Sequence, residues 1–201
     1  MRRHPAPVPL AAVVAIAVLA ACNRGQDPTI DASGTGTTTA TATATSTLPA
    51  PDSAVPASTP PVSERAQLTA VRVDNKEDGG SRVVFEFDPV VPGYKVDYVT
   101  RPITMDGSGD EVRVAGEAVL DVTMENASLA RFEGEKVVLT YTGPRRVQPS
   151  GGGAGVVVEA VEAGDFEGVV HWVVGLRQKD AEVSVSTLSG PSRLVLDFAP
   201  S

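Results

Sequence analysis

Few side chains in this sequence have the means for chemistry: one cysteine, two histidines and a sparse set of tyrosines. His171 lies inside the run VVHWVVGL beside Trp172, and His4 falls in a stretch that reads as a removable leader. A hydrolytic zinc site needs about three nitrogen or oxygen ligands and an open position. No HExxH spacing supplies them, so His171 reads as a core or edge histidine, with a catalytic role as the alternative. A G-x-S-x-G elbow and an S-x-x-K pair are both absent. GGGAGV, from Gly151 to Val156, lacks a P-loop lysine and a following helix, and reads as a flexible loop rather than a phosphate cradle. Two acidic loops invite comparison with calcium sites. Asp74, Asp78 and Gly79 are interrupted by Lys76 at a ligand position; Asp106, Ser108 and Asp110 with Glu117 fit better, but Glu111 stands where the sharp turn wants glycine. Both are more simply hairpin turns, so neither a metal nor a cofactor is expected.

The remaining candidates are binding residues. Tyr94, Val96 and Tyr98 share one face of a strand, Arg101 follows, and YTGPRR places Tyr141 near Arg145 and Arg146. Tyrosine rings stack on sugar faces, and guanidiniums form paired hydrogen bonds to carboxylates. Together they suit a glycan bearing peptide acids; the alternative is that the tyrosines line a core with their hydroxyls at its rim. Cys22 has a different use. No second cysteine exists to pair with it. Arg2 and Arg3, the apolar run Leu10 to Ala21 and the small residues before Cys22 have the layout of a secretory signal, and the run is short of the roughly 20 apolar residues that span a membrane. Leu19-Ala20-Ala21-Cys22 resembles the bacterial lipobox, which implies cleavage before Cys22 and a diacylglycerol on its sulfur. Two acyl chains hold firmly where one is marginal, each buried methylene contributing about 0.8 kcal/mol. The alternative is an ordinary secretory signal with an incidental cysteine.

Three segments must position these residues. Residues 1–21 read as the lipoprotein signal peptide. Residues 22–63 carry the lipidated cysteine and a Thr, Ala, Pro, Ser and Gly stretch that cannot bury enough apolar surface to offset the entropy of ordering it. Such a linker reaches roughly 35 Å, stiffened at its prolines, and its composition also suits an O-glycosylated stalk. Residues 64–201 form one domain with 14 Lys and Arg against 22 Asp and Glu, which accounts for the net charge of -8. An acidic surface without a basic run argues against nucleic acid and against charge-driven adhesion to anionic lipid.

Within the domain, short valine-rich runs separated by Gly, Pro and Asp predict about ten strands: 67–73, 82–88, 94–100, 111–115, 118–124, 136–142, 156–161, 169–176, 182–187 and 193–198. Val83, Phe85 and Phe87 oppose Arg82, Val84 and Glu86; Leu194, Leu196 and Phe198 oppose Arg193, Val195 and Asp197. VVHWVVGL is apolar on both faces, which suits a central strand covered on both sides. ENASLARFEGE allows one short turn or helix capped by Asn126. The pattern predicts an all-β fold, a two-sheet β-sandwich or an open barrel.

RVVFEFDPVVPGYKVDYV, YTGPRR, EAGDFEGVVHWVVGL and PSRLVLDF resemble the AMIN-like domain of actinobacterial lipoproteins over nearly all of residues 64–201. The closing Arg193-to-Phe198 pattern is loosely similar to the AMIN module that accompanies N-acetylmuramoyl-L-alanine amidases. The resemblance implies a sandwich, a non-enzymatic binding role toward peptidoglycan or an envelope protein, and no transferable binding residue. The 201 residues hold no amidase domain, so whatever the domain positions is expected to be a separate protein. The expectation is therefore a lipid-anchored protein on the outer face of the plasma membrane. A carrier of lipid or a small apolar ligand between the sheets, and a hydrolase with an unfamiliar site, are the alternatives.

Overall fold

The computed structural model describes residues 53–54, 56–151 and 154–201. The expected leader, Cys22 and most of the 22–63 linker lie outside the described residues. Two six-stranded sheets carry the fold. The first runs in the order β1 (Ser53–Ala54), β13 (Val183–Leu188), β14 (Ser192–Phe198), β4 (Ser81–Asp88), β3 (Ala66–Asn75) and β7 (Ala127–Ser128). The second runs β10 (Arg146–Val147), β11 (Val157–Phe166), β12 (Val169–Leu176), β6 (Ala118–Glu125), β5 (Gly93–Val99) and β2 (Ala57–Thr59). All neighbours pair antiparallel except β3 with β7. Neither sheet closes on itself, so the fold is a sandwich rather than a barrel.

The core sits between the sheets, where the period-two pattern points. Val83, Phe85 and Phe87 of β4 and Leu194, Leu196 and Phe198 of β14 meet Leu120, Val122, Met124, Val170, Trp172 and Val174 from the second sheet. Trp172 is its centre. Its ring meets Phe85 edge-on at 6.0 Å and Tyr141 at 5.7 Å, geometries that the ring quadrupoles favour.

β12 is central and covered twice, as its apolar run predicts. While Val170, Trp172, Val174 and Leu176 face the other sheet, Val173 faces outward into a second apolar cluster with Val119, Val161, Ala163, Ile103, Val112 and Val114. The last three come from residues 100–117, which cross the outer face between β5 and β6. Glycines make the close approach possible. A Cβ at Gly175 would overlap the Ala115 carbonyl and sit 2.9 Å from a Val114 methyl; one at Gly164 would sit 2.7 Å from Asp106 Cβ.

Three expectations are corrected. Residues 111–115 form no strand: they belong to this crossing segment, held by a Thr104–Glu111 bridge and a 2.8 Å bond from the Val112 amide to the Ile103 carbonyl. Residues 125–135 form no helix. β8 (Ala130–Glu133) and β9 (Lys136–Leu139) pair as a hairpin, with Gly134 supplying φ 65 in the turn, and Asn126 donates to the Val62 carbonyl instead of capping. Finally, the first pairing precedes residue 64, because β1 pairs with β13 and β2 with β5.

Candidate functional site

The crossing segment is tied down by polar groups at its C-terminal end. Arg101 Nη2 donates to the carbonyls of Val114 and Gly116 at 3.0 Å each, and the Glu117 amide donates to the Leu176 carbonyl at 2.7 Å. Beside it lie three adjoining clefts. One of about 420 Å³ is lined by Arg101, Arg113 and Arg146 together with Glu111 and Glu159. A second, about 490 Å³, shares Arg101 and adds Tyr98, Lys179 and Asp180. The third, about 330 Å³, shares Arg113 and Arg146 and adds Arg145 and Glu162. Four arginines thus gather on one face of an acidic domain.

Two of them are held by buried carboxylates. Glu159 is 4% exposed and accepts from the Ala115 amide at 2.8 Å, from Gln148 Nε2 at 2.8 Å and from the Arg146 guanidinium. Burial alone would raise its pKa; these hydrogen bonds and the Arg146 charge outweigh that and hold it below the usual value. Glu162, 6% exposed, pairs with Arg145 at 2.8 Å, and that bond raises the arginine's own pKa. Arg146 also donates to the Arg113 carbonyl at 2.7 Å. Arg113 itself is exposed and makes no ion pair among the described residues. Arg145 and Arg146, anchored from below and exposed above, are pre-oriented donors of the kind that binds carboxylates in pairs.

The tyrosines divide. Tyr94 is 2% exposed in the inter-sheet core, and Tyr141 is buried against Trp172 with its hydroxyl donating to the Pro144 carbonyl at 2.7 Å. Neither ring has a face open to a sugar, which corrects their assignment as stacking residues: both lie in the core. Burial, with Glu162 nearby, pushes the Tyr141 hydroxyl up to about 12. Tyr98, on the same strand face, is 41% exposed. Its hydroxyl donates to the Ala181 carbonyl, and burial followed by the Asp180 charge raises its pKa. Of the six residues singled out, Tyr98, Arg101, Arg145 and Arg146 line the clefts. Arg113 and the two buried glutamates escaped the sequence reading.

His171 is not solitary. Its Nδ1 lies 3.2 Å from Asp106 Oδ2 and its Nε2 is hydrogen-bonded to Asp121 Oδ1. Burial would lower its pKa, but the hydrogen bonds and charges of Asp121 and Asp106 prevail and raise it. With both nitrogens engaged, the ring has no free lone pair for a substrate proton. Asp106 thus turns toward His171, while Ser108 Oγ accepts from the Asp110 amide at 3.2 Å within the turn. Among the described residues no group of three or more His, Cys, Asp or Glu is arranged to hold a metal ion. Phe85, Trp172, Leu120 and Met124 are buried together in the core between the sheets.

Neither a curated protein nor a solved structure matches this chain. Residues 66–200 match the AMIN-like domain, a span that takes in both six-stranded sheets apart from the short edge strands β1 and β2. The chain belongs to the AMIN-like domain family.

Proposed function

We propose that this chain is a lipid-anchored protein of the cell envelope whose sandwich binds the carboxylate-bearing peptides of peptidoglycan through the arginine-lined groove. Membership in the AMIN-like family supports a peptidoglycan-associated, non-catalytic role. The observation that carries the ligand chemistry is the gathering of Arg101, Arg113, Arg145 and Arg146 around adjoining clefts, two of them braced by buried glutamates. Diacylation at Cys22 would confine the domain to a thin shell at the membrane. A linker of that length would give it a high effective concentration against the wall, so that weak contacts suffice.

Retention of the full-length chain on purified peptidoglycan tests the groove. Exposed ion pairs contribute about 0.2–1 kcal/mol each, so Arg113→Ala with Arg145→Ala weakens retention roughly two- to thirtyfold, and added salt weakens it further. Equal retention of a folded double variant would count against this surface, and a protein partner recovered in parallel would replace the glycan peptide as ligand. The anchor is tested by Cys22→Ser, which releases the protein to the medium or leaves an uncleaved precursor. Normal cleavage with unchanged membrane retention contradicts it.

A further inference from the structure

A fourth cleft, of about 390 Å³, lies beside His171 and has the opposite chemistry to the arginine groove. Asp106, Gly107, Thr123, Phe166, Glu167 and His171 line it. Phe166 ends β11 and is 51% exposed, so its ring is accessible from solvent. Gly107 lies alongside the ring: a methyl group there would sit 3.5 Å from it.

The donors and acceptors of this cleft are unbalanced. Both nitrogens of His171 are spent on Asp106 and Asp121, and the Thr123 hydroxyl donates to Asp121 Oδ2 at 2.9 Å. Its side-chain donors are therefore committed to carboxylates. What remains open is acceptor capacity: the second oxygen of Asp106 and the exposed carboxylate of Glu167, neither of which pairs with a lysine or arginine among the described residues. The guanidinium of Arg65 approaches Gly168 but does not line the cleft. A sugar or an acid would need donors here. A cation bearing N–H groups needs only acceptors and gains from an aromatic face.

We propose that this cleft binds an alkylammonium or guanidinium group, with Phe166 as the ring platform and Asp106 and Glu167 as acceptors. The site uses none of the groove arginines, so it stands or falls separately from the function proposed above.

The test is amide NMR of the full-length chain titrated with n-butylammonium chloride or methylguanidinium chloride, with n-butanol as the uncharged control. Saturable shifts are expected at Gly107 and Phe166–Val169 with the cations and not with the alcohol. Phe166→Leu and Glu167→Gln, both at exposed positions outside the core, each weaken binding about two- to fivefold. The tighter of the two cations identifies the ligand class. Equal shifts with n-butanol, no saturable shift at these residues, or wild-type affinity in both variants would overturn the proposal.

Discussion

Glu159 is the residue on which the arginine groove depends, and its removal tests the construction of the site. The carboxylate is 4% exposed and takes three donors, from the crossing segment (Ala115), from β10 (Arg146) and from the chain beyond it (Gln148). Deleting one member of a buried ion pair costs about 3–5 kcal/mol. Arg146 is exposed on its outer side, so water reaches it after the loss, which brings the expected cost of Glu159→Ala to about 2–3 kcal/mol. Glu159→Gln keeps the shape and an acceptor for the Ala115 amide but sets an NH₂ group against a guanidinium, for about 1–2 kcal/mol. Urea unfolding of the full chain measures both. Because the folded pKa lies below the usual 4.5, the wild-type advantage over Glu159→Gln is complete above about pH 4.5. It is lost as pH falls through the depressed value. Retention on peptidoglycan falls with stability in the alanine variant, since Arg146 loses its brace. A Glu159→Ala protein within about 0.5 kcal/mol of wild type, the range of a neutral surface change, would refute the reasoning. So would an advantage over Glu159→Gln that survives acidification undiminished.

Gly175→Ala forces a methyl into the Ala115 carbonyl and the Val114 side chain, and should cost about 1–3 kcal/mol by lifting the crossing segment. Gly134→Ala, with nothing within 4 Å and φ 65, should cost only the backbone strain of about 1–2 kcal/mol and leave groove binding intact, as denaturation and retention on the same preparations will show. His171→Asn removes a charge held between Asp106 and Asp121, in a site also faced by Thr123 and Glu167. Its folded pKa is raised, so the wild-type advantage, about 1.5–3 kcal/mol, is complete below about pH 6.5 and disappears as pH rises through the raised value. A stability difference that grows with pH would invert the assignment. Phe85→Ala opens a cavity against Trp172 and should cost about 3–5 kcal/mol, read as a lower denaturant midpoint.

What was legible in the sequence is what a single strand reports about its own surroundings. Val83, Phe85 and Phe87 alternate because one face of β4 meets the core, and VVHWVVGL lacks alternation because β12 is covered on both faces. Neither pattern says what does the covering. Val112 and Val114 read as ordinary strand residues and Ile103 as part of a loop, yet all three cover the second sheet, admitted by glycines at 164 and 175 whose role emerges only from the approach of another segment. Periodicity likewise put Tyr94 and Tyr98 on one face but could not tell that one ring is buried and the other half open. The polar sites were hidden for the same reason. His171 finds its partners 65 and 50 residues away, and Arg146 finds Glu159 across a strand pairing. A net charge of -8 describes the whole and conceals the arrangement: the crossing segment carries Arg101 and Arg113 at one cleft and Asp106 at another. One irregular segment laid over a sheet therefore contributes residues both to the arginine-lined clefts and to the cleft beside His171, each assembled from residues that no local spacing connects.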